Sequence, residues 1–277
     1  MLLKNNINPS NSPLGQKSNY VDTYNPELLF AIPRKIKREE LGILDQLPFA
    51  GYDIWNAFEI SWLNTKGKPE VAIGEFIVPC TSINIFESKS LKLYLNSFNG
   101  TKYDSISTAT KIIKQDLSRS TGDKVKVTML HLNKVINNIQ RSFQARSLDD
   151  QDIECTEYVT NPSLLTTSNQ YTEEELYSDL LKSNCLITKQ PDWGSVYIKY
   201  EGKKIDHAGL LRYIVSFRNH NEFHEQCIER MFIDIIQQCK PKRLTIHGRY
   251  TRRGGIDINP VRSTHNYHVN NCRLIRQ

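Results

Sequence analysis

Two stretches about half a chain apart carry the same kinds of side chain in the same order. Leu91, Tyr94, Leu95, Ser97 and Phe98 superpose on Leu210, Tyr213, Ile214, Ser216 and Phe217. Apolar residues at three- and four-residue spacing make each stretch one face of a helix. Each is followed, after a short turn containing Asn, by a second helical pattern. Duplication of one supersecondary unit accounts for this better than chance, so the fold must be two copies of one plan.

The plan is read from the residues around the helices. Tyr52 to Leu63 largely alternates apolar and polar side chains, Asn64 to Pro69 is a turn, and Glu70 to Pro79 is a return strand. Helices are expected over 90–98 and 105–117, with a strand over 124–132, so the first module reads ββααβ. In the second half a strand over 196–200, helices over 207–217 and 222–239, and strands over 244–250 and 256–258 flank the turn Arg252-Arg253-Gly254-Gly255. Two antiparallel sheets, each with a helical pair on one face, make an α+β class. The expected boundaries are an N-terminal arm over 1–50, a first module over 51–148, a polar, acidic linker over 149–180 and a second module over 181–277. The first forty residues are rich in Asn, Ser and Pro, which predicts a surface arm with little regular structure, covering a sheet edge or a partner subunit.

Composition excludes several classes. No run approaches the ~18 to 20 apolar residues of a membrane span. The start Met1-Leu-Leu-Lys-Asn-Asn-Ile-Asn is too polar for a signal peptide, and the chain is expected to be cytoplasmic. Its six cysteines (Cys80, Cys155, Cys185, Cys227, Cys239, Cys272) form no Cys-x-x-Cys pair, which argues for free thiols over a zinc knuckle or a disulfide framework. Among the seven histidines only His220 and His224 stand at helical ligand spacing, with no third ligand nearby, so no metal is expected. The net charge of +6 suits a polyanionic ligand, either a phosphorylated cofactor or nucleic acid.

Chemistry concentrates in Leu180 to Ser195. Cys185 leaves a short apolar run and is followed by Asp192 in the sequence Pro191-Asp-Trp-Gly194. Pro191 and Gly194 are expected to break any helix or central strand here, leaving Cys185 and Asp192 at a strand-to-loop junction. A thiol and a carboxyl held in one loop can act together, as nucleophile and proton carrier. By spacing alone the same pair also fits a buried structural cysteine beside a turn-forming aspartate. A second candidate is His224-Glu225, in the first turn of a helix that Asn221 can cap. The pair equally fits a glutamate that favours the helix dipole beside a surface histidine. No Gly-x-Gly-x-x-Gly segment is present. The remaining phosphate-binding candidates are the helix N-terminus at Glu87-Ser-Lys-Ser90, with its amides and Lys89, and the Arg252-Arg253-Gly254-Gly255 turn, which also reads as an ordinary solvated turn.

The segment Ser183-Asn-Cys-Leu-Ile-Thr-Lys-Gln-Pro-Asp-Trp-Gly-Ser195 closely resembles the catalytic segment of the NADPH-dependent 7-cyano-7-deazaguanine reductases, the nitrile reductases of queuosine biosynthesis. Glu87-Ser-Lys-Ser-Leu-Lys-Leu-Tyr94, Phe217-Arg-Asn-His-Asn-Glu-Phe-His-Glu225 and Tyr250-Thr-Arg-Arg-Gly-Gly-Ile-Asp-Ile-Asn-Pro260 agree with it. The match runs from about Leu14 to the C-terminus and fits the long, two-module form, with no departure at a motif position. The resemblance implies tandem tunnelling-fold modules that join sheets into a barrel in a homodimer. It implies Cys185, Asp192 and His224 as catalytic residues, and Phe86, Glu87, Ser88, His224 and Glu225 around a small deazapurine. Ser88, Lys89, Arg252, Arg253 and Gly254 would contact NADPH, two per turnover, with no metal, membrane or direct nucleic-acid partner. Two other classes stay open on the residues themselves: a cysteine hydrolase or amidase acting on a deazapurine, and a non-enzymatic RNA-binding module.

Overall fold

The computed structural model describes residues 20–136 and 139–277. They fall into two compact units. The first holds the described residues up to Glu39, with Trp55–Ile136 and Arg253–Ile256; the second holds Glu40–Ile54, the described part of Asn137–Arg252, and Asp257–Gln277.

In chain order the first unit draws on β1 (Ala31–Pro33), α1 (Lys35–Glu40), β2 (Ala50–Leu63, from Trp55 onward), β3 (Pro69–Pro79), β4 (Asn84–Phe86), α2 (Ser88–Asn96), α3 (Ile106–Thr121) and β5 (Lys126–Leu130). β2 and β3 are neighbours joined by a turn in which Asn64 N–H donates to Lys68 O at 2.9 Å and Gly67 takes φ 81°. β5 adds antiparallel to β3, with Ile73 opposite Leu130 and Ile77 opposite Lys126. Ser105 starts α3 by accepting the Thr108 N–H, and Gly122 ends it at φ 73°. Leu91, Tyr94 and Leu95 of α2 and Ala109, Ile113 and Leu117 of α3 are buried, as are Ile60, Trp62, Phe76 and Val78 of the hairpin.

The second unit contains β6 (Ile139–Gln140), β7 (Arg146–Ser147), β8 (Thr167–Ser178), β9 (Lys182–Asn184), β10 (Pro191–Ile205), α4 (His207–Ser216), α5 (His224–Cys239), β11 (Arg243–Tyr250), β12 (Ile256–Ser263, from Asp257) and β13 (Arg273–Leu274). Its strands run in the order β12–β11–β10–β8–β7, and β10 is antiparallel to β8 and β11. β9 pairs with the first residues of β10. Both units place a helical pair with an antiparallel sheet, so the class is α+β, as the duplicated pattern requires.

The duplication reaches further than the helices. Tyr94 OH donates to Asp116 at 2.8 Å in one unit, and Tyr213 OH donates to Asp234 at 2.6 Å in the other. Ser97 and Ser216 each donate to the carbonyl three residues back, Tyr94 O and Tyr213 O, at 2.6 Å. The same two serine oxygens accept the backbone N–H groups of Asn25 and Asn161. Asn25-Pro-Glu-Leu28 and Asn161-Pro-Ser-Leu164 are thus one element copied twice, a 3₁₀ turn capped by its own asparagine.

That copy corrects the reading of the polar stretches. Part of the arm lies outside the described residues, but residues 20–50 carry the 3₁₀ turn, β1 and α1. β1 pairs antiparallel with β4, and Tyr24 donates to Asp116 at 2.7 Å. The stretch read as a linker ends in the twelve-residue β8, whose Leu176 and Ser178 are buried while Ser168 to Tyr171 are exposed. β10 begins at Pro191 rather than Val196. Pro191 is tolerated because it is the first residue of the strand, and Gly194 is held by its N–H to Leu181 O at 2.9 Å. β12 continues through Pro260 to Ser263, well past Ile258.

One buried ion network stabilises the second unit. The Arg262 guanidinium, fully buried, donates to Asp53 Oδ1 at 2.8 Å and to Glu229 Oε1 at 3.1 and 2.8 Å. Removing the cation leaves two carboxylates buried beside each other, which costs about 3 to 5 kcal/mol. Arg262→Ala is therefore expected to lower the urea midpoint by a corresponding amount; a loss under about 1 kcal/mol would show that the network contributes little.

Candidate active site

The segment around Cys185 is a tight hairpin in the second unit. β9 and β10 pair with Asn184 opposite Pro191 and Ser183 opposite Asp192. The hairpin closes through Cys185, whose N–H donates to Gln190 O at 2.8 Å and whose carbonyl accepts the Lys189 N–H at 3.1 Å. Lys189 takes φ 57° to make this turn. Asp192 is cross-strand from Ser183, so these two side chains share a face, and Cys185 follows β9 directly. Cys185 and Asp192 are both buried, at 3% and 8% exposure.

The connection between α4 and α5 is stitched to this hairpin. Asn184 N–H donates to His220 O at 2.8 Å, and Glu222 N–H donates to Asn184 O at 3.2 Å. Glu222 is locked by Arg230, whose Nε and NH2 reach it at 3.1 and 2.6 Å, and by His220 at 2.8 Å. Burial works against its charge, but its hydrogen bonds to His220 and Arg230 outweigh this and hold the Glu222 carboxyl down at about 2. α5 does not start on an Asn221 cap. Its first residue is His224, and Gln226 Oε1 accepts the Phe223 N–H at 3.3 Å, while the Asn221 amide donates to Asn219 O.

This placement brings His224 Nε2 within 3.4 Å of Asp192 Oδ2. Glu225 follows in the same first turn, 2% exposed. The His224 ring stacks on Tyr250 with centroids 4.0 Å apart and an interplanar angle of 23°. Neither imidazole nitrogen makes a hydrogen bond. Beneath lies a second thiol, Cys227, which burial pushes up to about 12 against the smaller opposing effect of the Tyr250 and Ser183 hydroxyls beside it. Cys185, Asp192, His224 and Glu225 therefore share one unit, and Tyr250 and Ser183 join them. Neither of those two is singled out from the sequence, although Tyr250 opens one of its motif blocks; cross-strand register alone would have pointed to it.

Phe86, Glu87, Ser88, Lys89, Arg253 and Gly254 belong to the first unit, and Arg252 to the second. Phe86 is a buried core residue packed edge-on against Trp55 at 5.6 Å. Glu87 is the N-cap of α2 and accepts the N–H groups of Lys89 at 2.7 Å and Ser90 at 2.8 Å. Burial pushes its carboxyl up, partly offset by those two amides. The helix N-terminus is thus occupied by its own cap, which corrects the expectation that those amides bind phosphate. The Ser88 hydroxyl also turns to this carboxylate, at 3.4 Å from Glu87 Oε1. Arg252 and Arg253 are exposed, and Arg253 and Ile256 close a two-residue turn in which Gly254 and Gly255 take φ 62° and 76°. A side chain at Gly255 would stand 2.4 Å from Glu59 Cδ, and one at Gly254 3.1 Å from Lys92 Cδ, so both glycines are set tightly against their neighbours. The Arg252 and Arg253 guanidinium groups are of the type that pairs with phosphate. Among the described residues no cluster of His, Cys, Asp and Glu is arranged to hold a metal ion, and no helix is long and apolar enough to cross a membrane.

Comparison with known proteins gives consistent matches. A family model described as nitrile reductase, 7-cyano-7-deazaguanine-reductase N-term, matches residues 20–129, and one described as QueF-like protein matches residues 191–268. An NADPH-dependent 7-cyano-7-deazaguanine reductase of Legionella pneumophila (strain Lens) is 54% identical over 270 residues, covering 96% of this chain and 95% of that protein. Proteins of the same name from Dechloromonas aromatica (strain RCB) and Desulfotalea psychrophila (strain LSv54 / DSM 12343) are 55% and 51% identical over 269 and 274 residues. They cover 96% and 98% of this chain, and 95% and 99% of their own lengths.

Proposed function

The chain belongs to the NADPH-dependent 7-cyano-7-deazaguanine reductase family, and from that premise we propose that it reduces the nitrile of 7-cyano-7-deazaguanine to the 7-aminomethyl group through a covalent adduct on Cys185. The reading is supported by one arrangement: Cys185 directly follows β9 in the β9–β10 hairpin, Asp192 lies on β10 opposite Ser183, and His224 Nε2 is 3.4 Å from the Asp192 carboxylate. The Cys185 thiolate adds to the electrophilic nitrile carbon, breaking one π bond of C≡N, and Asp192 gives the nitrogen its proton to leave a thioimide. His224 positions the Asp192 carboxyl and the developing N–H. Glu225, at the start of α5, accepts from the N–H and NH₂ edge of the ring, for which an ionised carboxylate is the right acceptor. By the family likeness Phe86, Glu87 and Ser88 are also proposed to contact a deazapurine ring, Glu87 through the lone pairs its helix does not use. When bound, NADPH supplies a hydride to each of two successive reductions. The nitrile, two NADPH and two protons then give the primary amine and two NADP⁺, and Cys185 leaves as the thiolate it began as.

The same reading makes the chain a cytoplasmic homodimer that supplies a precursor for queuosine in tRNA. Mass spectrometry of the product tests the chemistry: with NADPH present the deazapurine should gain four hydrogen atoms, and an acid or amide product would overturn the assignment. Arg253→Ala tests the cofactor site. A charge-assisted hydrogen bond to phosphate contributes about 1.5 to 3 kcal/mol, so its loss should raise the KM for NADPH roughly 10- to 150-fold while kcat at saturation changes little. A smaller loss with NADH identifies a contact to the 2′-phosphate, and an equal one a contact to the pyrophosphate. An unchanged KM in Arg252→Ala, Arg253→Ala and Lys89→Ala alike would place the cofactor elsewhere.

A further inference from the structure

Tyr250 is the last residue of β11 and lies cross-strand from Gly194. Gly194 stands two residues after Asp192 on β10, so the two share a face of the strand. A Cβ on Gly194 would come within 3.0 Å of Tyr250 Cδ1 and 3.3 Å of Cε1, closer than side chains ordinarily pack. The missing side chain is therefore what lets the fully buried Tyr250 ring lie against β10 beside Asp192. On that ring sits His224. Its imidazole torsion is intrinsically loose, its nitrogens make no hydrogen bond, and its face lies 4.0 Å from the phenol at 23°.

We propose that Tyr250, seated over Gly194, is a positioning residue for the nitrile reduction: its ring is the shelf that fixes the His224 imidazole toward Asp192. The assignment rests on the Cys185–Asp192–His224 reading of the site. The shelf acts through the ring and not the hydroxyl. Tyr250 OH points among Ser183 and the Cys227 thiol, makes no hydrogen bond of good geometry, and burial keeps the phenol un-ionised far above neutral pH. A flat aromatic face is required because an aliphatic side chain leaves the imidazole free to rotate, and misplacing a proton-transfer group by about 1 Å costs up to about 10²-fold in rate.

The test compares Tyr250→Phe, Tyr250→Leu and Gly194→Ala by steady-state NADPH oxidation, with the Cys185 adduct measured by intact mass without NADPH. Tyr250→Phe should keep kcat within about twofold, whereas Tyr250→Leu should lower it about 10- to 100-fold with both KM values within about threefold and the adduct still formed. Gly194→Ala should fall between them by pushing the ring off β10, and it carries the test alone if Tyr250→Leu does not fold. Equal damage from Phe and Leu would assign the effect to the hydroxyl and overturn the shelf, as would wild-type turnover in Tyr250→Leu or, should that variant not fold, in Gly194→Ala. A wild-type protein that forms no adduct and oxidises no NADPH would instead overturn the reading of the site.

Discussion

Cys185→Ala is expected to lower turnover by roughly 10⁴-fold or more, because removing a covalent nucleophile leaves only what binding and proton transfer supply. The accompanying result is more diagnostic than the rate. Incubation with the cyano-deazaguanine and no NADPH should add one substrate mass to the wild-type protein and none to Cys185→Ala. All six cysteines are free, so another thiol could in principle take the substrate. Two are poorly suited. Burial pushes Cys227 up to about 12 and Cys239 up to about 11, so near neutral pH both are thiols and not thiolates. Cys185 instead closes the hairpin that carries Asp192, with its N–H and carbonyl held by Gln190 and Lys189. An adduct that persists in Cys185→Ala, or that maps to Cys227, would contradict the assignment.

Asp192→Asn is expected to lower kcat by about 10² to 10⁴, the range for a lost general acid, with a much smaller change in substrate affinity. Asparagine keeps the size and most of the polarity of aspartate but cannot deliver a proton. The residue is the second of β10, opposite Ser183, a position fixed by backbone pairing, so the substitution should leave the hairpin intact. The affinity should hold because a carboxyl beside a thiol contributes little to binding a neutral ring. Isothermal titration of the substrate, set beside the kinetic constants, separates the two effects. Equal losses in affinity and turnover would make Asp192 a binding residue.

The duplicated plan was legible because its signature residues are fixed by burial and by hydrogen bonds that recur. Tyr94 and Tyr213 are fully buried and each reaches an aspartate of the following helix, while Ser97 and Ser216 tie the end of their own helix to Asn25 and Asn161. The start itself was not recognised. Asn25-Pro26 and Asn161-Pro162 lie in polar stretches, where a capped 3₁₀ turn looks like any other turn. β8 was missed for a related reason: its exposed half reads Ser168-Asn-Gln-Tyr171, with no apolar alternation to mark a strand. Pro191 and Pro260 misled in the other direction, since a proline at the start of one strand and within another removes a donor without ending the ladder. In the site, Cys185, Asp192, His224 and Glu225 were legible as residue types at suggestive spacings. The stacking of His224 on Tyr250 was not, because it depends on the register of β10 against β11 and on the space left by Gly194. The capping role of Glu87 was equally hidden, since a glutamate before a helix gives no sign of how many amides it will accept.

The central claim is that this protein reduces a nitrile and does not hydrolyse one. Following NADPH absorbance with the cyano-deazaguanine substrate limiting, and assaying ammonia in the same sample, tests it most directly. The account predicts that two NADPH disappear for each substrate consumed and that no ammonia is released; ammonia formed in step with substrate loss, at constant NADPH absorbance, would contradict it.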